Sequence, residues 1–439
     1  MSSPSLLIRG ARILLPNGEF IVGDVLTRDR QIIKVSPSQI EETATHIIDA
    51  DGLTLLPGVI DPQVHFREPG LEHKEDLFTA SCACAKGGVT SFLEMPNTRP
   101  LTVSQSALND KLERAANKCL VNYGFFIGAT TDNLSQLLQA NPTPGIKIFM
   151  GSMHGPLLVD PQETLEAIFA NGEILIAVHA EDHTRLKQRR EEFANIHDVA
   201  IHSQIQDNQA ALIATKRALK LSQKYQRRLH ILHMSTAEEA DLLRQDKPSW
   251  VTAEVTPQHL LLNTTAYEKI GSLAQMNPPL RTSRDNEVLW QALLDGVIDF
   301  IATDHAPHTL EEKAQTYPKS PSGMPGVETS LALMLTAAVD GRCTVAQVVN
   351  WMSTAVAAAY CIPNKGAIAP GYDADLVLVD LNSRKKVRRE ELVTKCGWSP
   401  FEGWDLTGWA VTTIVGGEIV YHQGKLNTES RGRALTFKR

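Results

Sequence analysis

Five residues whose side chains can bind a divalent metal each lie in a short apolar run or at its end. They are His65, Lys147, His179, His233 and Asp304. Imidazole and carboxylate groups are common zinc ligands, and a bound divalent ion can activate water and polarise a carbonyl group. Because these residues are spread over about 240 positions, they can converge only if their strands run parallel and end on one face. The pattern therefore predicts a metal-dependent hydrolase.

Lys147 is the unusual member of this set, because it lies inside the apolar run GIKIFM, where an unpaired ammonium group would be costly to bury. One interpretation pairs it with a nearby carboxylate. The other is that a depressed pKa lets the amine react with carbon dioxide. The resulting carbamate is anionic and bidentate, so it could bridge two cations. The sequence leaves both interpretations open.

The bulk composition is that of an ordinary globular protein, and the length of 439 residues allows a large domain and a small one. A hydrophobic content of 43%, a charged content of 21% and a net charge of −7 give no reason to expect nucleic-acid or membrane-surface binding. No apolar run reaches the roughly 18 residues of a membrane span, so no span is predicted, and the segment MSSPSLLIRGARI shows neither the apolar h-region nor the cleavage site expected of a signal peptide. Six cysteines without a CxxC motif are typical of reduced thiols, so a cytoplasmic location is predicted.

Short apolar runs without polar alternation recur through the middle of the chain, and helical patterns separate most of them. Such runs are what a parallel sheet covered on both faces requires. The runs are 58–65, 89–97, 121–129, 145–150, 174–179, 229–234, 251–255 and 297–305. We therefore predict an α/β fold, a (β/α)8 TIM-type barrel with its chemistry at the carboxyl ends of the strands. A doubly wound open sheet is the rival fold, but no glycine-rich phosphate loop follows the first run.

The two ends of the chain differ from the middle and consist of short β-rich runs separated by turn residues. We predict a small composite β domain built from residues 1–54 and 375–439, and a metal-dependent barrel from residues 55–374. Two unrelated appendages are the alternative. The longest irregular stretch, 305–327, is predicted to be a mobile loop over the site.

Several segments resemble the cyclic amidohydrolases, and among them the dihydroorotase family. They are PGVIDPQVHFREPGLEHKED, GGVTSFLEMPNTRP, GIKIFMG, HILHMST, AEVTPQHLLLN, MNPPLR, ATDHAPH and PSGMPGVETSL, which follow the family's order. The resemblance implies that Lys147 is carboxylated and bridges two zinc-like ions. It places His65 and Asp304 on one ion, and His179 and His233 on the other. It also implies a homodimer that acts on a small molecule.

The first run departs from the family pattern. The family's first strand usually ends in His-x-His, with both imidazoles on one metal, whereas this chain has Gln63-Val64-His65. A neutral amide oxygen is a much weaker zinc ligand than imidazole. Gln63 could therefore ligate weakly, the ion could be held by fewer ligands and exchange, or the site could hold one Zn²⁺ instead of two. A catalytically inactive paralogue is a further alternative.

The resemblance also implies a set of residues that bind the substrate. Arg67, Asn97 and His308 would hold a carboxylate on the substrate ring, which a planar guanidinium recognises in a bidentate manner. Asn277 would contact the ring, and Gly323 would let the loop backbone approach closely. In the alternative interpretations, Arg67 is a salt-bridged surface residue and Asn97 only shapes a turn.

The resemblance implies the dihydroorotase reaction of de novo pyrimidine biosynthesis, the reversible zinc-dependent cyclisation of N-carbamoyl-L-aspartate to L-dihydroorotate. Asp304 is predicted to be both a metal ligand and the proton carrier. One alternative is a hydantoinase- or allantoinase-type enzyme that acts on uncharged cyclic amides. The other is a catalytically inactive barrel that serves as a scaffold for an aspartate transcarbamoylase partner.

Overall fold

A computed structural model describes residues 5–152 and 155–438, and in these ranges eight parallel strands form a central barrel. The strands are Val59–Val64, Val89–Glu94, Asn122–Phe125 with Ile127–Gly128, Ile146–Phe149, Ile176–His179, Leu229–Ile231, Val251–Val255 and Phe300–Ile301. The third strand is interrupted at Phe126, between its pairing with the second strand and its pairing with the fourth. A parallel bridge between Val64 and His305 joins the segment after the last strand to the first strand. The predicted α/β barrel is confirmed.

Helices follow the barrel strands. In chain order, the α-helices are Leu77–Gly87, Gln105–Lys118, Leu134–Gln139, Gln162–Ala170, His183–Glu192, His202–Ile205, Asn208–Tyr225, Ala237–Asp246, Pro257–Leu261, Ala266–Ile270, Ser283–Leu294, Leu310–Lys313, Ser330–Val339, Val345–Val349 and Ala355–Ala359. The first begins where Asp76 accepts a hydrogen bond from Thr79 N (2.9 Å), and it ends at Gly88, whose φ of 80° is left-handed. Across the described residues, no helix has both the length and the apolar character needed to cross a membrane.

Strands from both ends of the chain form a second sheet. Its order is Lys425–Leu426, Glu418–His422, Ala410–Val415, Leu376–Val379, Thr54–Pro57, Ser5–Leu14, Phe20–Arg28 and Gln31–Ser36, while His46–Asp49 pairs with Ser5–Leu14. The central contact is the antiparallel pairing of Thr54–Pro57 with Leu376–Val379. Thr54–Pro57 therefore spans the predicted domain boundary at residues 54 and 55.

Parts of the predicted C-terminal segment lie outside this sheet. Arg384–Lys386 and Asp405–Thr407 form a separate hairpin. Between them, Trp398 is fully buried in an apolar cluster with Met324, which belongs to the loop after the eighth barrel strand. Near the C-terminus, residues 433–435 hydrogen-bond along the third barrel strand. Both departures bring apolar side chains of the C-terminal segment against the barrel, where they are removed from water.

Candidate active site

A pocket of about 150 Å³ opens at the carboxyl ends of the barrel strands. It is lined by Gln63, His65, Arg67, Asn97, Lys147, Phe149, Ser152, His179, His233, Asn277, Asp304, Ala306, Ser322 and Gly323. These include every residue of the predicted site except His308, whose ring contacts Arg67 (Nε2 to Nη2, 3.3 Å). A larger cavity of about 330 Å³ lies elsewhere, around Asp375 and Arg433, and none of the predicted site residues line it.

Three residues of the predicted site other than glycine have a left-handed backbone, which residues other than glycine rarely adopt. The φ angles are 69° at Arg67, 35° at His233 and 48° at Asp304. Each such residue costs on the order of 1–3 kcal/mol, and such strain persists only where the surrounding structure imposes it. At all three positions the chain turns just after a barrel strand, so the strained backbone and the candidate chemistry coincide.

His65 and Asp304 form the first pair of candidate ligands, with His65 Nε2 lying 3.1 Å from Asp304 Oδ1. On the other side of the ring, Nδ1 lies 2.7 Å from Asn97 Oδ1. Since a carbonyl oxygen only accepts hydrogen bonds, the ring proton belongs on Nδ1. Burial lowers the pKa of His65, so the ring is neutral and its Nε2 lone pair faces the carboxylate. A cation between these two acceptors would relieve the contact.

His179 and His233 form the second pair, with His179 Nδ1 lying 2.9 Å from His233 Nε2. The other ring nitrogen of His179, Nε2, lies 2.8 Å from Glu181 Oε2, and this carboxylate is fully buried. Because the carboxylate accepts, it keeps the proton of His179 on Nε2 and leaves the Nδ1 lone pair directed at His233. Metal-binding histidines are commonly oriented by a carboxylate in this way.

Lys147 is fully buried, and its Nζ has no hydrogen-bond partner among the described residues. No carboxylate among the described residues forms an ion pair with Lys147. The structure therefore does not show the pairing of Lys147 with a carboxylate that was one of the two interpretations of the sequence. Desolvation lowers the pKa of Lys147 to about 7, which leaves much of the amine uncharged at neutral pH. After burial, the charge of Lys147 also contributes to the lowered pKa values of His65 and His233. Lys147 is therefore electrostatically coupled to a histidine in each of the two pairs of candidate ligands.

The donor set of the pocket fits a divalent cation. In residues 5–152 and 155–438, no three His, Cys, Asp or Glu side chains are already gathered into a metal-binding group. Three buried polar atoms of the pocket nevertheless lack a hydrogen-bond partner, namely Gln63 Oε1, Lys147 Nζ and His233 Nδ1. Buried polar atoms are nearly always satisfied, and a bound ion is one explanation for an exception. A cation among these atoms would also relieve the contact between the His65 lone pair and the Asp304 carboxylate.

The opposite side of the pocket is suited to an anion. The Arg67 side chain is buried, and burial lowers its pKa to about 10. Its Nε donates to Pro307 O (3.0 Å), yet no carboxylate of the described chain forms an ion pair with the guanidinium. Arg67 is therefore neither exposed nor salt-bridged, and its charge is available to a ligand. Across the pocket, Asn277 Oδ1 lies 2.8 Å from His202 Nε2, which leaves the amide nitrogen of Asn277 as a donor.

Sequence reasoning missed three charged residues that support the pocket: Glu181, Lys74 and Lys313. Glu181 follows His179 by two residues, and a carboxylate next to a candidate metal-binding histidine was an available signal. Lys74 contacts the ring of His308 from the loop after the first strand. Lys313 donates to three backbone carbonyls, including that of Gly323 (3.0 Å), and so ties down part of the 305–327 loop. Nothing in the sequence indicates that these two loop lysines turn inward.

Comparison with known families and sequences gives a consistent result over almost the whole chain. The model of the amidohydrolase family matches residues 54–420. The chain is 34% identical to the dihydroorotase of Methanosarcina acetivorans, over 98% of this chain and 95% of that protein. It is 32% identical to the dihydroorotase of Anoxybacillus flavithermus, over 95% of this chain and 99% of that protein.

Solved structures that resemble this chain carry the names of enzymes other than dihydroorotase. The L-hydantoinase (dihydropyrimidinase) from Arthrobacter aurescens matches with a TM-score of 0.94 and 29% identity, over 99% of this chain and 100% of that chain. The dihydropyrimidinase from Brevibacillus agri matches with a TM-score of 0.92 and 28% identity over the same shares. The substrate must therefore be argued from the pocket.

Proposed function

Because the chain belongs to the amidohydrolase family and is a cyclic amide hydrolase, we propose that it catalyses the dihydroorotase reaction of pyrimidine biosynthesis. In this reaction N-carbamoyl-L-aspartate closes reversibly to L-dihydroorotate with loss of water. The proposal is supported by curated relatives named dihydroorotase that are 32–35% identical to most of this chain. The competing substrates, which are hydantoins, dihydropyrimidines and allantoin, differ from dihydroorotate in lacking a carboxylate on the ring.

The observation that carries the proposal is the buried, unpaired guanidinium of Arg67 in the pocket. Leaving a buried charge uncompensated is expensive, so a site that keeps one is built for an anionic partner. A ring carboxylate supplies that partner in a geometry that a guanidinium binds through two parallel hydrogen bonds. An uncharged hydantoin or dihydropyrimidine would leave the arginine uncompensated.

We further propose that the enzyme holds one or two divalent cations, with Zn²⁺ the first candidate because imidazole and carboxylate groups suit it. His65 and Asp304 would hold one ion, His179 and His233 the other, and a carboxylated Lys147 would lie between them. When bound, such ions lower the pKa of water and polarise the carbonyl group that is attacked. Gln63 would contribute only a weak amide-oxygen ligand.

In hydrolysis, water adds to the ring carbonyl carbon, the bond from this carbon to the ring nitrogen breaks, and the nitrogen gains a proton. Asp304 is the side chain that we assign to both proton transfers. It takes a proton from the attacking water and returns it to the departing nitrogen. Its Oδ1 already accepts a hydrogen bond from Gln63 Nε2 (3.2 Å), which fixes the orientation of the carboxylate. Ring closure follows the same steps in reverse.

The likeness to hydantoinase structures favours one second candidate, an enzyme for uncharged cyclic amides. This alternative predicts turnover of hydantoin or dihydrouracil, and little effect of replacing Arg67. The substitution at Gln63 favours a third, a barrel without activity that supports an aspartate transcarbamoylase partner. A homodimer is our proposal for the protein in isolation, and association with such a partner accompanies only the third candidate.

The test is the rate of L-dihydroorotate hydrolysis by protein purified with zinc and bicarbonate, beside dihydrouracil and hydantoin. Lys147→Ala and Arg67→Met are assayed in parallel. We expect turnover of dihydroorotate that is lost in Lys147→Ala and strongly reduced in Arg67→Met. Preferred turnover of the uncharged amides, unchanged in Arg67→Met, would establish the second candidate. No turnover of any substrate, together with co-purification of a transcarbamoylase, would establish the third.

A further inference from the structure

We expect His308 to be neutral near pH 7, and so to carry one ring proton, because its pKa is lowered. Its side chain is buried, and burial holds its pKa well below the usual value, with Arg67, Lys74 and Lys313 adding positive charge around it. Its backbone is fixed as well, because Trp398 Nε1 donates to His308 O (2.7 Å). The remaining question is which ring nitrogen holds the proton, because this decides whether His308 can donate a hydrogen bond toward the pocket.

The neighbours of His308 answer this question. The carbonyl oxygen of Ser322, which can only accept, lies 3.1 Å from Nε2. The ammonium group of Lys74, which can only donate, lies 3.1 Å from Nδ1. Both contacts are satisfied only when the proton is on Nε2. The competing acceptor for a proton on Nδ1 is Glu312 Oε2, which is farther away (3.5 Å) and already accepts from Thr309 N (3.1 Å).

With its proton on Nε2, His308 cannot accept a hydrogen bond from Arg67. The two groups nevertheless lie 3.3 Å apart, with His308 Nε2 facing Arg67 Nη2. An anion that binds Arg67 at this position could bridge the two donors, and it would share the Nε2 proton with the Ser322 carbonyl in a bifurcated hydrogen bond. Lys74 is itself largely buried and held in place, since its Nζ also lies 3.1 Å from Glu312 Oε1.

We propose that Lys74 is a positioning residue that selects the Nε2–H tautomer of His308 and thereby sets the preference of the pocket for a ring carboxylate. This inference rests on the proposed function for the identity of the carboxylate. Lys74 does not line the pocket, so we expect it to act through His308 and not by contact with the substrate. Without its ammonium group, the proton can move to Nδ1 and toward Glu312, which leaves a lone pair at Nε2 facing the carboxylate position.

The test compares Lys74→Met, which removes the donor, with Lys74→Arg, which keeps one, in full-length protein purified with zinc. His73→Ala is the matched control, because His73 Nε2 lies 3.2 Å from the same Glu312 oxygen but does not contact His308. Binding of orotate and of uracil, which differ by the ring carboxylate, is measured by calorimetry. The tautomer is read from ¹⁵N NMR of the histidine rings, and the His308 signals are identified by their loss in His308→Gln.

In the wild-type protein we expect His308 to be protonated on Nε2 and orotate to bind more tightly than uracil. Lys74→Met should weaken orotate binding by about 10- to 100-fold, because the carboxylate would lose one hydrogen bond to a charged group. The same substitution should move the His308 ring proton toward Nδ1. Uracil binding should change by less than about threefold, and Lys74→Arg and His73→Ala should both stay close to wild type.

An Nε2–H ring and unchanged orotate selectivity in Lys74→Met would overturn the inference, as would an Nδ1–H ring in the wild type. Equal losses for orotate and uracil, or a lowered melting temperature that Lys74→Arg does not restore, would assign Lys74 a purely structural role. Failure of the proposed function is a separate result. It would be absent turnover of dihydroorotate by the wild type, and it would leave the binding and NMR measurements able to decide the role of Lys74.

Discussion

Replacing Glu181 with glutamine should weaken metal binding without removing any candidate ligand. Glu181 Oε2 lies 2.8 Å from His179 Nε2, and the carboxylate is fully buried, so this contact is a charge-assisted hydrogen bond shielded from water. Such a bond contributes about 1.5–3 kcal/mol, and about 1.4 kcal/mol corresponds to a tenfold change in an equilibrium constant. The dissociation constant of the ion at His179 should therefore rise by about 10- to 100-fold.

The assay is competition for Zn²⁺ against a chromophoric chelator, with metal content per chain measured after dialysis. Glu328→Gln is the matched control, since Glu328 is also a buried carboxylate with backbone donors, at Val393 and Thr394, but lies outside the pocket. It should leave the zinc affinity at the wild-type value. If Glu181→Gln bound zinc as tightly as the wild type while its melting temperature was unchanged, the orienting role of Glu181 would be refuted.

Four further substitutions test other parts of the argument. Lys111→Met leaves the buried Glu94 carboxylate without its counter-ion at 2.7 Å, and urea unfolding should show a loss of about 3–5 kcal/mol; a loss under about 1 kcal/mol would contradict this. Asp304→Asn should lower kcat by roughly 10²–10⁴-fold, which is the usual contribution of a general base to the rate, and should alter KM much less. A near-normal kcat would show that Asp304 does not carry the proton. Burial lowers the pKa of His202 to about 4, so stability should be full above about pH 6.5 and fall by up to about 1.4 kcal/mol per unit down to pH 4. Urea unfolding at pH 7 and pH 5 measures this, and the fall should be smaller in His202→Gln. Gln63→His should tighten the weaker zinc site by about tenfold or more, and unchanged zinc affinity would show that position 63 holds no ligand.

The barrel was predictable because unbroken apolar runs such as ILIAVH allow few structures other than a strand covered on both faces. Residues at the ends of such runs, including His179 and Asp304, must then meet at one end of the barrel, so most of the residues that line the pocket were predictable. The supporting contacts were not predictable, because they depend on how loops fold back over the barrel. Lys74 and Lys313 lie in polar segments where most lysines face water, and only tertiary contacts show that their ammonium groups are buried.

For Gln63, the residue type and the structural contacts lead to different conclusions about whether the site is intact. Read by type, an amide in place of a metal-binding imidazole suggests a damaged site. In the structure, Gln63 Nε2 donates to Asp304 Oδ1 (3.2 Å), while Gln63 Oε1 is buried with no partner among the described residues. The amide thus orients the proposed proton carrier with one atom and leaves an oxygen acceptor with the other. A histidine at this position could donate to Asp304, but it has no oxygen atom that could serve as a second, weak ligand. The geometry therefore favours a working site with one weak oxygen ligand over a lesion, because a residue that had lost its role would not be expected to hold Asp304 in place.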